Sequence, residues 1–157
     1  MDVVERLLAI SDIEPLKARY FRLVDAKQWD EWAQLFTADA VTDFSTLDPN
    51  LVFRGRAAML AATAGTVGRI VRTIHHGHTP EIEVLDSASA RGVWAMTSCR
   101  FWPEGEERTA DFKETTRWAY YRENYIKTGE GWRICYLRLE PLHFAAIREC
   151  DIYPLQR

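Results

Sequence analysis

The sequence predicts an α+β fold, with helices first and a long curved antiparallel sheet folded round them to enclose a pocket. Three observations carry this. Apolar residues in the first third of the 157-residue chain recur at helical spacing. From His75 onward, polar and apolar residues alternate in segments rich in β-branched and aromatic side chains. The breaks between those segments are short and made of turn-forming residues, and helices followed by strands is the α+β order.

The first helix is expected to start at Ser11 or Asp12, either of which can cap it, with Pro15 in its first turn. Ile13, Leu16, Tyr20, Leu23 and Val24 then form one apolar face, and Asp25 stands where that stripe ends. A second helix is expected over Trp29–Phe36, presenting Trp29, Trp32, Ala33 and Phe36 and broken by "TADA". Residues 40–45 and 51–54 read as a strand pair around the turn "TLDPN". A third helix follows over 56–64, ended by Gly65 and Gly68. The remaining strands come from "HTPEIEVLD", "SARGVWAMTSCRFWP" and "TRWAYYRENYIKTGEGWRICYLRLEPL", with "LDSAS", "PEGEE" and "TGEG" as turns.

Bulk properties narrow the function. The length suits a single domain, residues 1–157, with one sizeable core. At 47% apolar and 27% charged residues the chain is globular rather than disordered. A net charge of −3 without a basic run argues against nucleic acid as a partner. "MDVVERLLAI" lacks the basic-then-apolar order of a signal peptide, and no apolar run is long enough for a bilayer. Cys99, Cys135 and Cys150 are odd in number and lack CxxC spacing, so they read as free thiols. A cytoplasmic protein with no membrane partner is expected.

The stretch "TIHHGHTPEIEV" holds His75, His76 and His78, three of the four histidines; the fourth is His143. On a regular strand His75 points one way and His76 and His78 the other. A three-histidine metal site would need a break in the strand, which Gly77 could allow. No Cys, Asp or Glu cluster has metal-ligand spacing, and no metal is expected. Two readings stay open: hydrogen-bonded histidines on a half-buried strand, or a general acid/base histidine. The second needs an orienting carboxylate on one ring nitrogen. Asp25 is a candidate for it, and equally a solvated helix-end residue. Tyr20, inside the apolar stripe, is either a core tyrosine or a phenol that donates to a substrate oxygen. There is no GxSxG, phosphate loop or dinucleotide fingerprint, so the chemistry expected is proton transfer without a cofactor.

The segments "LKARYFRLVDAKQWDEWAQLF", "IHHGHTPEIEV", "ARGVWAM" and "GEGWRI" resemble the SnoaL-like, or scytalone dehydratase-like, branch of the nuclear transport factor two superfamily. Within that branch the first two are most similar to bacterial bile acid 7α-dehydratases. The resemblance implies an α+β cone of cystatin-like type around one deep pocket. It also implies roles: Tyr20 and Asp25 match the family's tyrosine and aspartate five apart, and His75 matches the catalytic histidine. A homotrimer formed through the sheets is implied too, with a dimer as the alternative.

Some positions depart from the family pattern. Phe44 stands where the dehydratases have a tyrosine near the substrate, and Ser98 where the bile-acid enzymes have an acid. Arg100 falls where scytalone dehydratase has a second pocket histidine, and Pro141 where the bile-acid enzymes have a late arginine, with Arg138 nearby. Strand alternation puts Trp94, Met96, Ser98 and Arg100 on one face, and these with Phe44 are the expected substrate pocket. Arg100 is expected to pair with Asp25 or to bind an anionic or carbonyl part of the ligand. On the outer face, "TRWAYYRENYIK" offers Trp118, Tyr120 and Tyr125 for an interface, among Arg117, Arg122 and Lys127.

The function expected is a cofactor-free hydro-lyase acting on a small hydrophobic hydroxylated cyclic ketone or enone. An isomerase, polyketide cyclase or epoxide hydrolase on the same fold is the first alternative. A non-catalytic binding or assembly subunit is the second.

Overall fold

Helix α1, Val3–Asp25, begins two turns earlier than the apolar stripe predicts. Asp2 caps it: its side chain accepts from the Glu5 N–H while the Glu5 side chain accepts from the Asp2 N–H. The added turns carry Val3, Val4, Leu7 and Leu8 on the surface, so they leave no buried stripe to read. Pro15 consequently lies inside the helix rather than in its first turn. From Ala9 on, the helix buries Ile13, Leu16, Lys17, Tyr20, Phe21, Leu23 and Val24.

The computed structural model describes residues 1–70, 72–102 and 112–148; the expected "PEGEE" turn and Cys150 lie outside them. After α1 come α2 (Trp29–Ala33), β1 (Phe36–Asp43), β2 (Val52–Arg54) and α3 (Arg56–Thr66). A 3-10 turn, Val67–Arg69, leads to β3 (Arg72–Gly77) and β4 (Glu81–Val84). The chain then runs through β5 (Ser89–Phe101), β6 (Phe112–Thr128) and β7 (Gly131–Arg148). "TADA" therefore belongs to β1, not to a helix break, and α2 stops three residues short of Phe36. Gly65 is accommodated within α3 instead of ending it.

The seven strands form one curved sheet in the order β2-β1-β7-β6-β5-β3, with β4 also pairing β5. It is mixed, not purely antiparallel, because β1 runs parallel to β7. Alternation along a strand reports which side is buried but not the direction of the neighbouring strand. The inward face carries Trp94, Met96 and Ser98 from β5, Ala119, Tyr121, Glu123 and Tyr125 from β6, and Ile134, Leu137 and Leu139 from β7. Helix α1 packs within this curve, against β3, β4 and β7.

Two residues assigned to the outer face by sequence belong inside. Tyr125 is 1% exposed and its hydroxyl accepts from Trp94 Nε1 at 2.8 Å. Arg117 faces the interior cavity. Trp118, 39% exposed, does point outward. No described helix is long and apolar enough to cross a membrane.

Candidate active site

The end of α1 sets the site. Lys27 adopts a left-handed φ of 58°. The Lys27 N–H donates to the Val24 carbonyl and the Gln28 N–H to the Leu23 carbonyl, a Schellman closure with lysine in the place glycine usually takes. This turn leaves Asp25, the last helical residue, facing β3. The Lys27 ammonium donates to Thr73 Oγ1 at 2.8 Å, and the Thr73 hydroxyl donates to Asp25 Oδ1 at 2.8 Å.

His75 completes the arrangement. Its backbone N–H donates to Asp25 Oδ2 at 2.8 Å, and its ring Nδ1 lies 2.6 Å from Asp25 Oδ1. An ionised carboxylate can only accept, so Nδ1 carries a proton, and in the neutral ring Nε2 keeps a free lone pair. Burial works to raise the Asp25 carboxyl. The His75 ring and backbone N–H, with the Thr73 hydroxyl, outweigh it and hold the group below the ordinary aspartate value. The His75 side chain is 6% exposed and its ring stacks on Phe21 at 6.5 Å between centroids.

Gly77 sits in this packing for a reason the sequence did not suggest. β3 runs through it without a break, and a Cβ there would stand 2.3 Å from the Phe21 ring. Only glycine leaves room for the Phe21 ring against β3 and so lets the end of α1 come up to His75. A Gly77→Ala variant should lose about 1–3 kcal/mol in urea unfolding, the usual cost of overpacking. Activity should fall as well, and adding Phe21→Leu should restore part of both. A wild-type urea midpoint for Gly77→Ala would count against this role.

His75 opens onto a cavity of about 240 Å³. Its apolar wall includes Val24, Phe44, Leu47, Leu51, Phe53, Val67 and Leu139; its polar lining includes Tyr20, Tyr121, Arg100 and Arg117. Burial, followed by the neighbouring Tyr121 phenol, pushes the Tyr20 phenol well above its ordinary value. Tyr121 is pushed up to about 12, chiefly by burial. Both are therefore neutral hydrogen-bond donors at physiological pH. Burial, then the nearby Arg117, lowers Arg100, and burial lowers Arg117. A larger groove, over Glu83, Arg91 and Arg122, is lined by side chains already tied up as Arg91–Glu83 and Arg122–Glu140 pairs.

Of the residues singled out from sequence, Tyr20, His75, Phe44 and Arg100 line the cavity, and Asp25 stands behind His75. Trp94, Met96 and Ser98 share the inward face with Arg100 but belong to the packed core, outside the cavity lining. Arg100 makes no ion pair with Asp25, whose acceptors are taken by His75 and Thr73. His76 and His78 are exposed, and His78 Nε2 meets Thr97 Oγ1 at 3.1 Å. Among the described residues no three His, Cys, Asp or Glu side chains gather as a metal-binding group. Arg138 lies beside Asp43 on the other side of β7, and Pro141 is exposed beyond the last β1–β7 pair. Tyr121, Thr73 and Arg117 were missed. Tyr121 and Arg117 share strand parity with Ala119, and Thr73 shares it with His75, so alternation was the available signal.

Comparison with known proteins follows this geometry. The SnoaL-like domain matches residues 5–138. A probable cyclase of Gibberella zeae is 24% identical over 143 residues, covering 87% of this chain and 93% of that protein. The crystal structure of a presumed scytalone dehydratase from Novosphingobium aromaticivorans superposes with a TM-score of 0.81 at 19% identity, over 99% of each chain. That of the hexachlorocyclohexane dehydrochlorinase LinA-type3 from Novosphingobium barchaimii does so with a TM-score of 0.78 at 18% identity, over 98% of this chain and 99% of its own.

Proposed function

The chain belongs to the SnoaL-like domain family, and we propose that it is a cofactor-free lyase that removes water from a hydroxylated cyclic ketone or enone. The observation that carries this is the His75–Asp25 pair at 2.6 Å, with the ring on the wall of a mostly apolar cavity beside Tyr20. Nε2 of His75 takes the proton α to the substrate carbonyl. The C–H electron pair moves into the carbonyl as an enolate, to which the Tyr20 phenol donates. As the enolate collapses, the C–O bond of the β-hydroxyl breaks. The leaving oxygen takes the proton from the imidazolium and departs as water, leaving a conjugated product. Asp25 fixes the tautomer and stabilises the imidazolium.

The likeness to a probable cyclase supports a second reading on the same machinery. There the enolate attacks a carbonyl within the substrate instead of expelling a hydroxyl. Mass separates the two at the first step: elimination loses one water, and ring closure alone loses nothing. A screen of hydroxy-ketone steroids and aromatic polyols tests the lyase reading. The result expected is a new conjugated absorbance and the loss of one water from at least one compound, absent with His75→Ala. A panel in which only cyclised, isobaric products form would replace the lyase by the cyclase. Because the substrate carbonyl holds the developing charge, treatment with a chelator should leave activity and melting temperature unchanged. Activity lost to the chelator and restored by one divalent ion would show that a metal holds that charge.

A further inference from the structure

The cavity carries positive charge that no carboxylate among the described residues balances. Arg117 pairs in register with Ser98 and Arg100 with Thr115, so the two arginines are diagonal neighbours on the inward face of β5 and β6. Such neighbours are typically about 7–8 Å apart, close enough for two long side chains to meet on one group. Arg100 is also diagonal to His75, through the Thr73–Arg100 and His75–Ser98 pairs of β3 and β5.

Both buried carboxylates nearby are committed elsewhere. Asp25 is held by His75 and Thr73, and Glu123 by Lys17 and Tyr125. Among the described residues neither Arg100 nor Arg117 has a carboxylate within ion-pair distance; Arg117 only lies over the Phe144 ring, at 5.7 Å. Like charges gathered in a half-buried wall are unfavourable until an anion joins them. The opposite wall, from Phe44, Leu51, Phe53 and Val67, is apolar. A ligand that satisfies both walls is amphipathic, a ring body with one planar anion that fits the guanidinium fork.

We propose that Arg100 and Arg117 bind a carboxylate, so that the substrate is a cyclic hydroxy-ketone bearing a carboxylate group. The substrate claim rests on the lyase reading above; the carboxylate site does not, because it can be tested without turnover. The probes are 2-naphthoate and its neutral analogue 2-naphthamide, titrated by calorimetry into the full-length protein at pH 7. Naphthoate should bind at least about tenfold tighter than naphthamide, a preference that weakens with added salt. Arg100→Gln and Arg117→Gln should each remove most of that preference while leaving naphthamide affinity unchanged. Neither should lower the melting temperature, since each removes a half-buried cation with no carboxylate partner among the described residues. His75→Ala should keep the preference even though it abolishes turnover, which separates failure of the catalytic reading from failure of this one. Wild-type protein that binds both probes equally, or neither, would overturn the proposal. So would a preference that survives in the Arg100→Gln/Arg117→Gln double variant. Arginines that served only a transition-state oxyanion would lower kcat and leave the binding preference intact, and that result too would sink it.

Discussion

His75→Ala and Asp25→Asn should each lower kcat/KM on the hydroxy-ketone substrate by on the order of 10²–10⁴-fold, the range for loss of a general base or its orienting partner. Alanine removes the base outright. Asparagine acts more subtly. Its carbonyl oxygen can still accept from the backbone N–H of His75, but its amide then turns N–H groups toward Nδ1. The ring must answer with a lone pair there, which moves its proton to Nε2. That nitrogen now presents a donor to the substrate where a base is needed. Both variants should stay folded, because the β3–β5 backbone ladder does not depend on either side chain, although His75→Ala gives up the ring's stacking on Phe21. The carboxyl of Asp25 is held below its ordinary value, so its contribution to stability is whole above about pH 4 and is lost as pH falls through the folded value. Activity should therefore not decline on the acid side from protonation of Asp25 until well below neutrality. Rates with purified variants, alongside circular dichroism, decide the matter: a His75→Ala protein with wild-type turnover would end the assignment of His75 as base.

Much of this site was legible because its residues sit at the ends of regular patterns. Tyr20 and Asp25 flank the end of one helical stripe, and strand parity alone separates His75 from His76 and His78. The likeness in "IHHGHTPEIEV" then chose among the histidine readings, which local sequence left open. What the pattern could not supply was depth. Trp94, Met96, Ser98 and Arg100 do share a face, yet the cavity reaches only Arg100, because the other three are packed into the buried core. Sequence makes Gly77 a possible strand break, because it does not show the Phe21 ring packed against it.

The outer-face reading of "TRWAYYRENYIK" holds for Trp118 but fails for Arg117 and Tyr125, for a different reason. Arg117 and Tyr125 share odd parity with Ala119, Tyr121 and Glu123, all of which the sheet buries or turns inward. Large aromatics with arginines are the residue types that dominate interfaces, and at these two positions that expectation runs against parity. Arginine inside a cone is unusual enough that only the alternation argues for it. Its neighbours make it possible, since the cavity offers it space that a packed core would not. The parallel pairing of β1 with β7 was similarly invisible, being set by where the chain leaves α2: Ile134 N–H donates to the Leu35 carbonyl at 2.9 Å and starts the ladder.

Beneath the cavity floor lies a charged pair whose loss should be the largest single cost to stability. Lys17 on α1 and Glu123 on β6 are both fully buried and paired with each other. Sequence placed neither, because a lysine in the "PLKARYF" stretch reads as a solvated helix face. Both carboxylate oxygens of Glu123 are partnered. Tyr125 donates to the second Glu123 oxygen and in turn accepts from Trp94 Nε1. The Lys17 ammonium stands 3.9 Å from the Tyr20 ring centroid and 4.0 Å from that of Tyr121, a cation held between the two cavity phenols from behind. Burial lowers the Lys17 ammonium, and Glu123 offsets part of that effect. Removing one partner strands the other charge in the core. Glu123→Gln and Lys17→Met should therefore each cost about 3–5 kcal/mol in urea unfolding. For a chain of this size that corresponds to a melting temperature lower by on the order of 10 °C. The double variant Lys17→Met/Glu123→Gln should be more stable than either single one, because no uncompensated ion remains, although Tyr20 and Tyr121 lose the cation that holds them. Turnover in the folded double variant should fall with little change in KM if that cation sets the position of the Tyr20 donor. Single variants that unfold at the wild-type midpoint would mean that the pair is neutral in the core, and with that the electrostatic account of the cavity floor would fail.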